Sequence, residues 1–147
     1  MGSVDSARLH INGSDDPRVP IVVTDDPSDL LVDTRVRARV TLSAHEIDEI
    51  GTNGTYYDLR IRLYEEDNSS WPWGDDNDDQ IWQRRPRLRG IPFESVEVSV
   101  GVSSIALKDH GAEYYAGVKL YRRTNSGMSS LHSRRTNTIK LEYSHSQ

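Results

Sequence analysis

Cysteine is absent from the 147 residues, which excludes disulfides, thiolate nucleophiles and cysteine-ligated zinc together. Long hydrophobic runs are absent too. No stretch approaches the roughly 18 consecutive apolar residues that cross a bilayer as a helix. Neither a glycine-rich phosphate loop nor a G-x-S-x-G nucleophile elbow occurs. Lysine is scarce, confined to Lys108, Lys119 and Lys140, so arginine supplies most of the positive charge. That charge is in deficit: the net value of -5 argues against non-specific nucleic-acid binding, which works by neutralising phosphates, and against adhesion to an anionic membrane. The opening Met1-Gly2-Ser3-Val4-Asp5-Ser6 has no basic region followed by an apolar stretch, and does not read as a secretory signal.

What is present is alternation. Val36, Ala38, Val40 and Leu42 alternate with Arg35, Arg37, Arg39 and Thr41, the period of two that gives a strand one apolar and one charged face. Tyr57, Leu59, Ile61 and Leu63 repeat the pattern against Asp58, Arg60, Arg62 and Tyr64. Val96, Val98, Val100 and Val102 predict a further strand, with a bulge near Ser103-Ser104 because Ile105 and Leu107 continue on odd numbers. Tyr114, Ala116, Val118 and Leu120 mark the next, and Ile139, Leu141 and Tyr143 the last, after a polar loop from Thr124 to about Arg134. Asn53-Gly54 predicts a tight hairpin turn between the first two. Ser43 followed by Glu46 fits a capping box, yet a continuing strand fits residues 43–50 slightly better.

Helical periodicity is missing over any window longer than about two turns, and no unit repeats at a fixed spacing. Six to eight short strands with polar outer faces therefore predict an all-β chain, an antiparallel β-sandwich of jelly-roll or Ig-like type with at most one short helical turn. Residues 1–19 read as a flexible or loosely docked leader, and residues 20–147 as one domain with a long loop at 65–90.

That loop holds the candidate site. Between Glu65 and Arg89 lie all three tryptophans, seven acids from Glu65 to Asp79, and then Arg84, Arg85, Arg87 and Arg89. Exposed tryptophans beside arginine suit a recognition surface, so Trp71, Trp73, Trp82, Arg84 and Arg85 are the expected partner-binding residues. The competing expectation is that a tryptophan folds back to close the core. Asp75, Asn77 and Asp79 have the alternate spacing of calcium ligands. An EF-hand is excluded, because Gln80 stands where the loop needs glycine and Pro86 where it needs glutamate. A looser calcium site, with Asp25, Asp26, Asp29 and Asp33 contributing, is the alternative to a solvated acidic loop.

Arg35, Arg37 and Arg39 would share a face with Arg60 and Arg62 if their strands pair, and like charges opposite one another call for a balancing partner. His10, His45, His110, His132 and His145 show no metal-ligand spacing, and no catalytic grouping stands out. The expectation is a non-catalytic module that binds a protein partner or self-associates, without a cofactor. A carbohydrate-binding or calcium-dependent module is the alternative, and a small hydrolase the outside one.

Overall fold

The alternating segments do form strands. The computed structural model describes residues 1–24, 31–66 and 78–145. In chain order these form β1 (Ser3–Ile11), β2 (Arg18–Val23), β3 (Leu31–Thr41), α1 (Ala44–Glu49), a 3-10 turn (Thr52–Gly54), β4 (Tyr56–Glu65), β5 (Asp79–Arg84), β6 (Phe93–Ser103), α2 (Ser104–His110), β7 (Glu113–Thr124), β8 (Gly127–Arg135) and β9 (Ile139–His145). One sheet has the order β1-β3-β6, antiparallel throughout. The other runs β2-β9-β7-β4-β5, with β8 also on β7; its single parallel pairing joins β2 to β9.

The apolar faces of both sheets meet in one core, which takes Val36, Ala38 and Val40 from β3, Leu59, Ile61 and Leu63 from β4, and Ala116, Val118 and Leu120 from β7. A fully buried valine or leucine contributes roughly 1.5 to 3 kcal/mol over an exposed one. Reversing the parity of any of these strands would expose the whole set. β8 and β9 occupy successive stretches of the same side of β7, from Gly117 onward and at Glu113–Tyr114 respectively. Thr136 fills the gap between them: its hydroxyl accepts from the Ala116 amide at 2.8 Å, and its own amide donates to the Ala116 carbonyl at 2.9 Å.

Several expectations are corrected. Residues 3–11, read as part of a leader, form β1, with Val4, Leu9 and Ile11 fully buried and paired along β3. The sequence hides this because Asp5 bulges out of the ladder between Val4 and Ser6 and breaks the period of two. Residues 43–50 hold a helix, α1, and its capping box is formed: Glu46 Oε1 accepts from the Ser43 amide at 2.8 Å, and Ser43 Oγ from the Glu46 amide at 3.2 Å. The second carboxylate oxygen accepts from the Gly2 amide at 2.9 Å. The fit at Gly2 is close: a Cβ would stand 2.9 Å from Leu120 Cδ2, so a larger residue would push that side chain aside.

Ile105 and Leu107 do not continue β6 past a bulge. They belong to α2, whose first turn is capped by Ser103 Oγ accepting from the Ala106 amide at 3.1 Å. The polar stretch expected to be a loop from Thr124 is largely β8, whose side chains are exposed or half-buried and so carry no apolar stripe. Asn53-Gly54 does take positive φ, 54° and 70°, but makes no hairpin. β3 and β4 lie in different sheets, and the Asn53 carbonyl accepts instead from the Asn125 amide at 3.1 Å. The two arginine rows consequently point away from each other, on the outer faces of opposite sheets.

Candidate functional site

An antiparallel sheet has two open edges, and each exposes a row of backbone donors and acceptors that folded proteins cover or blunt. On β1 the open side is covered by side chains. His132 Nδ1 accepts from the Val4 amide at 2.8 Å, and Arg134 Nε donates to the Val4 carbonyl at 3.0 Å. Asn137 then binds Leu9 twice, accepting from its amide at 2.8 Å and donating to its carbonyl at 3.1 Å. β2 is six residues long with Pro20 at its centre, and β5 is six residues long with a bulge at Ile81. Each of these is a device against further pairing.

β6 has none of them. Its eleven residues pair with β3 from Leu31–Ser103 to Thr41–Phe93 without a register shift, and contain neither proline nor lysine. The Leu42 amide donates to the Pro92 carbonyl at 3.1 Å, which fixes the alternation: even-numbered residues of β6 bond to β3. The amides and carbonyls of Ser95, Glu97, Ser99 and Gly101 therefore point outward, and all four residues are exposed. Among the described residues nothing bonds to these backbone groups. Val96, Val98, Val100 and Val102, on the core side, are only half-buried, because β6 lies at the margin of its sheet.

The outer face around this edge carries two large exposed apolar side chains, Phe93 at 78% and Leu31 at 67%. A groove of about 560 Å³ crosses β1, β3 and β6, lined by Ser6, Arg8, Arg37, Arg39, Ser95 and Glu97. Glu97 is the electrostatic centre of the face. Its carboxylate lies 3.1 Å from Arg35 Nε and 3.0 Å from Arg37 Nε. Opposite charges thus face one another across β3 and β6, and Arg39 has no acidic partner among the described residues.

The residues expected to form the site are differently placed. Trp71, Trp73, Asp75 and Asn77 lie outside the described residues, as do Asp25, Asp26 and Asp29. Trp82 is 7% exposed and belongs to the core; its Nε1 donates to Thr34 Oγ1 at 2.9 Å. Arg84 is exposed and lies over the Trp82 ring at 6.0 Å, and Arg85 is exposed. Past β5 the chain stays beside β4, where the Leu59 amide donates to the Pro86 carbonyl and the Leu88 amide to the Tyr57 carbonyl. Arg87 reaches back over Tyr56 at 4.2 Å.

Asp79 opens β5, 3.7 Å from His110 Nδ1. Asp33, read as a further calcium ligand, accepts from Ser99 Oγ at 2.5 Å and lies 3.2 Å from Arg35 Nη2. Among the described residues no three His, Asp or Glu side chains gather as a metal would need. Nor do they contain a helix long and apolar enough to cross a membrane.

The hydroxyl groups near His110 serve the fold. Ser103 caps α2, and Tyr114 OH donates to the carbonyls of Leu107 and of Gly111, the latter at 3.0 Å. Burial, helped by the neighbouring Tyr143 hydroxyl, pushes the Tyr114 phenol far above the ordinary range. Tyr115 is pushed up as well, by burial and by the Asp78 carboxylate its hydroxyl bonds. Both phenols stay protonated and act as donors.

Neither sequence period nor residue type singles out β6 as a site. The signal that could have found it is negative: an eleven-residue strand without proline, lysine or bulge. No known protein-family model matches the chain, and no curated protein is significantly similar to it in sequence.

Proposed function

We propose that this chain is a non-catalytic assembly module that acts through protein–protein contact, with the open edge of β6 as the contact and a second copy of the chain as its partner. The observation that supports this is the row of outward backbone groups on Ser95, Glu97, Ser99 and Gly101, on an eleven-residue edge with no bulge, proline or covering side chain among the described residues.

Self-pairing follows from the residues on that edge. Two antiparallel copies of β6 must match odd residues with odd, because those carry the free amides and carbonyls. Registers centred on Val98 or Ser99 place Glu97 against Ser99 or Gly101 of the other copy. The register centred on Glu97 sets two carboxylates opposite each other and is disfavoured. In the favoured registers the half-buried valines of one copy lie beside those of the other, the kind of β-branched cross-strand contact that stabilises a sheet. The charge on Glu97 is already balanced by Arg35 and Arg37. The joined sheet would run β1-β3-β6-β6-β3-β1.

Light scattering coupled to size-exclusion chromatography tests this. The wild type is expected to elute as a dimer at tens of micromolar, and Ser95→Pro and Ser95→Lys as monomers with unchanged circular dichroism. Ser95 is exposed and its side chain makes no bond among the described residues, so the lysine variant is expected to leave the fold intact. A wild type that stays monomeric up to millimolar concentration overturns the reading.

A further inference from the structure

The outer face of the larger sheet brings three cations together with no carboxylate lining the cleft between them, and this feature is independent of the β6 edge. Where β4 pairs with β7, Arg60 stands directly opposite Lys119, and Arg62 directly opposite Gly117. Side chains two residues apart on one strand share a face, so the three cations neighbour one another. They line a cleft of about 80 Å³ with Tyr64 and Gly117, and no carboxylate lines it.

The other cations nearby are accounted for. Arg123 Nε lies 2.6 Å from Asp58 Oδ2, Arg135 Nη2 is 3.0 Å from Glu66 Oε1, and Arg122 Nε is 3.1 Å from Glu49 Oε2. Asp58, two residues from Arg60 on the same face, is thereby held by Arg123. Arg60, Arg62 and Lys119 have no acidic partner among the described residues. Arg60 lies over the ring of Tyr121 at 5.0 Å, with its Nε buried and without an acceptor among the described residues. Arg62 Nη1 donates to the Tyr64 hydroxyl at 3.0 Å.

One unfavourable feature stands out here. Like charges sit directly opposite on paired strands, which destabilises a sheet. One oxyanion seated among the three cations would offset that repulsion. Arginine and lysine offer donors only, so the cleft suits a group made entirely of acceptors and repels metal cations. Gly117 keeps the side facing Arg62 open, and Tyr64, whose ring stacks on Tyr115 at 5.3 Å, forms one flank.

We propose that Arg60, Arg62 and Lys119 form a binding site for a tetrahedral oxyanion of the phosphate or sulfate class. The probes are inorganic phosphate, inorganic sulfate and phenyl phosphate, each titrated at constant ionic strength balanced with sodium chloride, with backbone amide resonances followed by NMR. Saturable shifts centred on Arg60, Arg62 and Gly117 are expected at millimolar concentration or below. Lys119→Gln and Arg62→Gln should each weaken them at least fivefold, while Arg18→Gln, a cation of β2 away from the cleft, leaves them unchanged. Tighter binding of phenyl phosphate than of inorganic phosphate assigns the site to a phosphoester seated against Tyr64; equal binding assigns it to the free ion. Shifts that grow without saturating, or that persist at full strength in both glutamine variants, overturn the proposal. The spectra themselves report whether each variant is folded.

Discussion

The indole N–H of Trp82 donates to the hydroxyl of Thr34 across the core, at 2.9 Å. Thr34 in turn donates to the Val100 carbonyl at 2.7 Å. A single hydroxyl therefore ties β5 of one sheet to β3 and β6 of the other, and it fixes a tryptophan that would otherwise bury a polar atom without a partner. It also anchors the middle of β6, the strand whose far side is open.

Thr34→Val keeps the volume and removes the hydroxyl, which strands the indole N–H. The expected cost is about 1 to 3 kcal/mol, read as a lower urea midpoint with unchanged slope. Thr34→Ser should recover most of it. A valine variant as stable as the wild type would show that water reaches the indole.

Glu46 predicts an acid dependence. Burial, the largest single influence, pushes its carboxyl up, but the amides of Ser43 and Gly2, with the Ser43 hydroxyl, outweigh it and hold the group below the ordinary glutamate range. A carboxylate with a lowered folded value adds stability above its unfolded value and loses it as pH falls through the folded one. Glu46→Gln is expected to cost about 1.5 to 3 kcal/mol at pH 7. The variant should also lose less stability than the wild type between pH 6 and pH 3. Urea titrations at a series of pH values measure both effects, and parallel curves for the two proteins would contradict the assignment.

Tyr114→Phe removes the donor that serves two carbonyls at the end of α2. The helix C-terminus then has fewer partners, and a loss of about 1 to 3 kcal/mol follows. Faster amide exchange in α2 than in β4 would localise it. Uniform acceleration across the chain would place the tyrosine's role in global stability instead.

Asn137→Ala uncovers the backbone of Leu9 on the open side of β1. A loss of about 1 to 2 kcal/mol is expected for its two hydrogen bonds, together with added association beyond any mediated by β6, because a second edge is freed. Scattering mass as a function of concentration separates that association from simple destabilisation.

The core strands were legible wherever one face is buried and the other wet. β3, β4 and β7 each spell their parity in residues such as Val36–Arg37 or Leu59–Arg60, and the structure places those faces as the alternation requires. Strands without that contrast were not legible. β8 carries no apolar stripe because it lies beside β1 with few of its side chains covered, and β1 loses its rhythm at the Asp5 bulge. α1 and α2 are each too short for a helical period; only the caps at Ser43 and Ser103 announce them. Trp82 looked like a contact residue because it stands among charges, yet its own parity, paired with Leu63, turns it inward.

By itself, then, the sequence determined the all-β class, the faces of the central strands and the absence of cysteine chemistry, since these depend on local alternation and composition. Only the tertiary structure decided which strands pair. It set the rows of Arg35 and Arg60 on opposite outer faces, closed the edge of β1 with Asn137 from the far end of the chain, left the edge of β6 open, and faced Arg60 with Lys119. Strand order depends on contacts between residues distant in sequence, and a period of two is the same whichever neighbour a strand acquires.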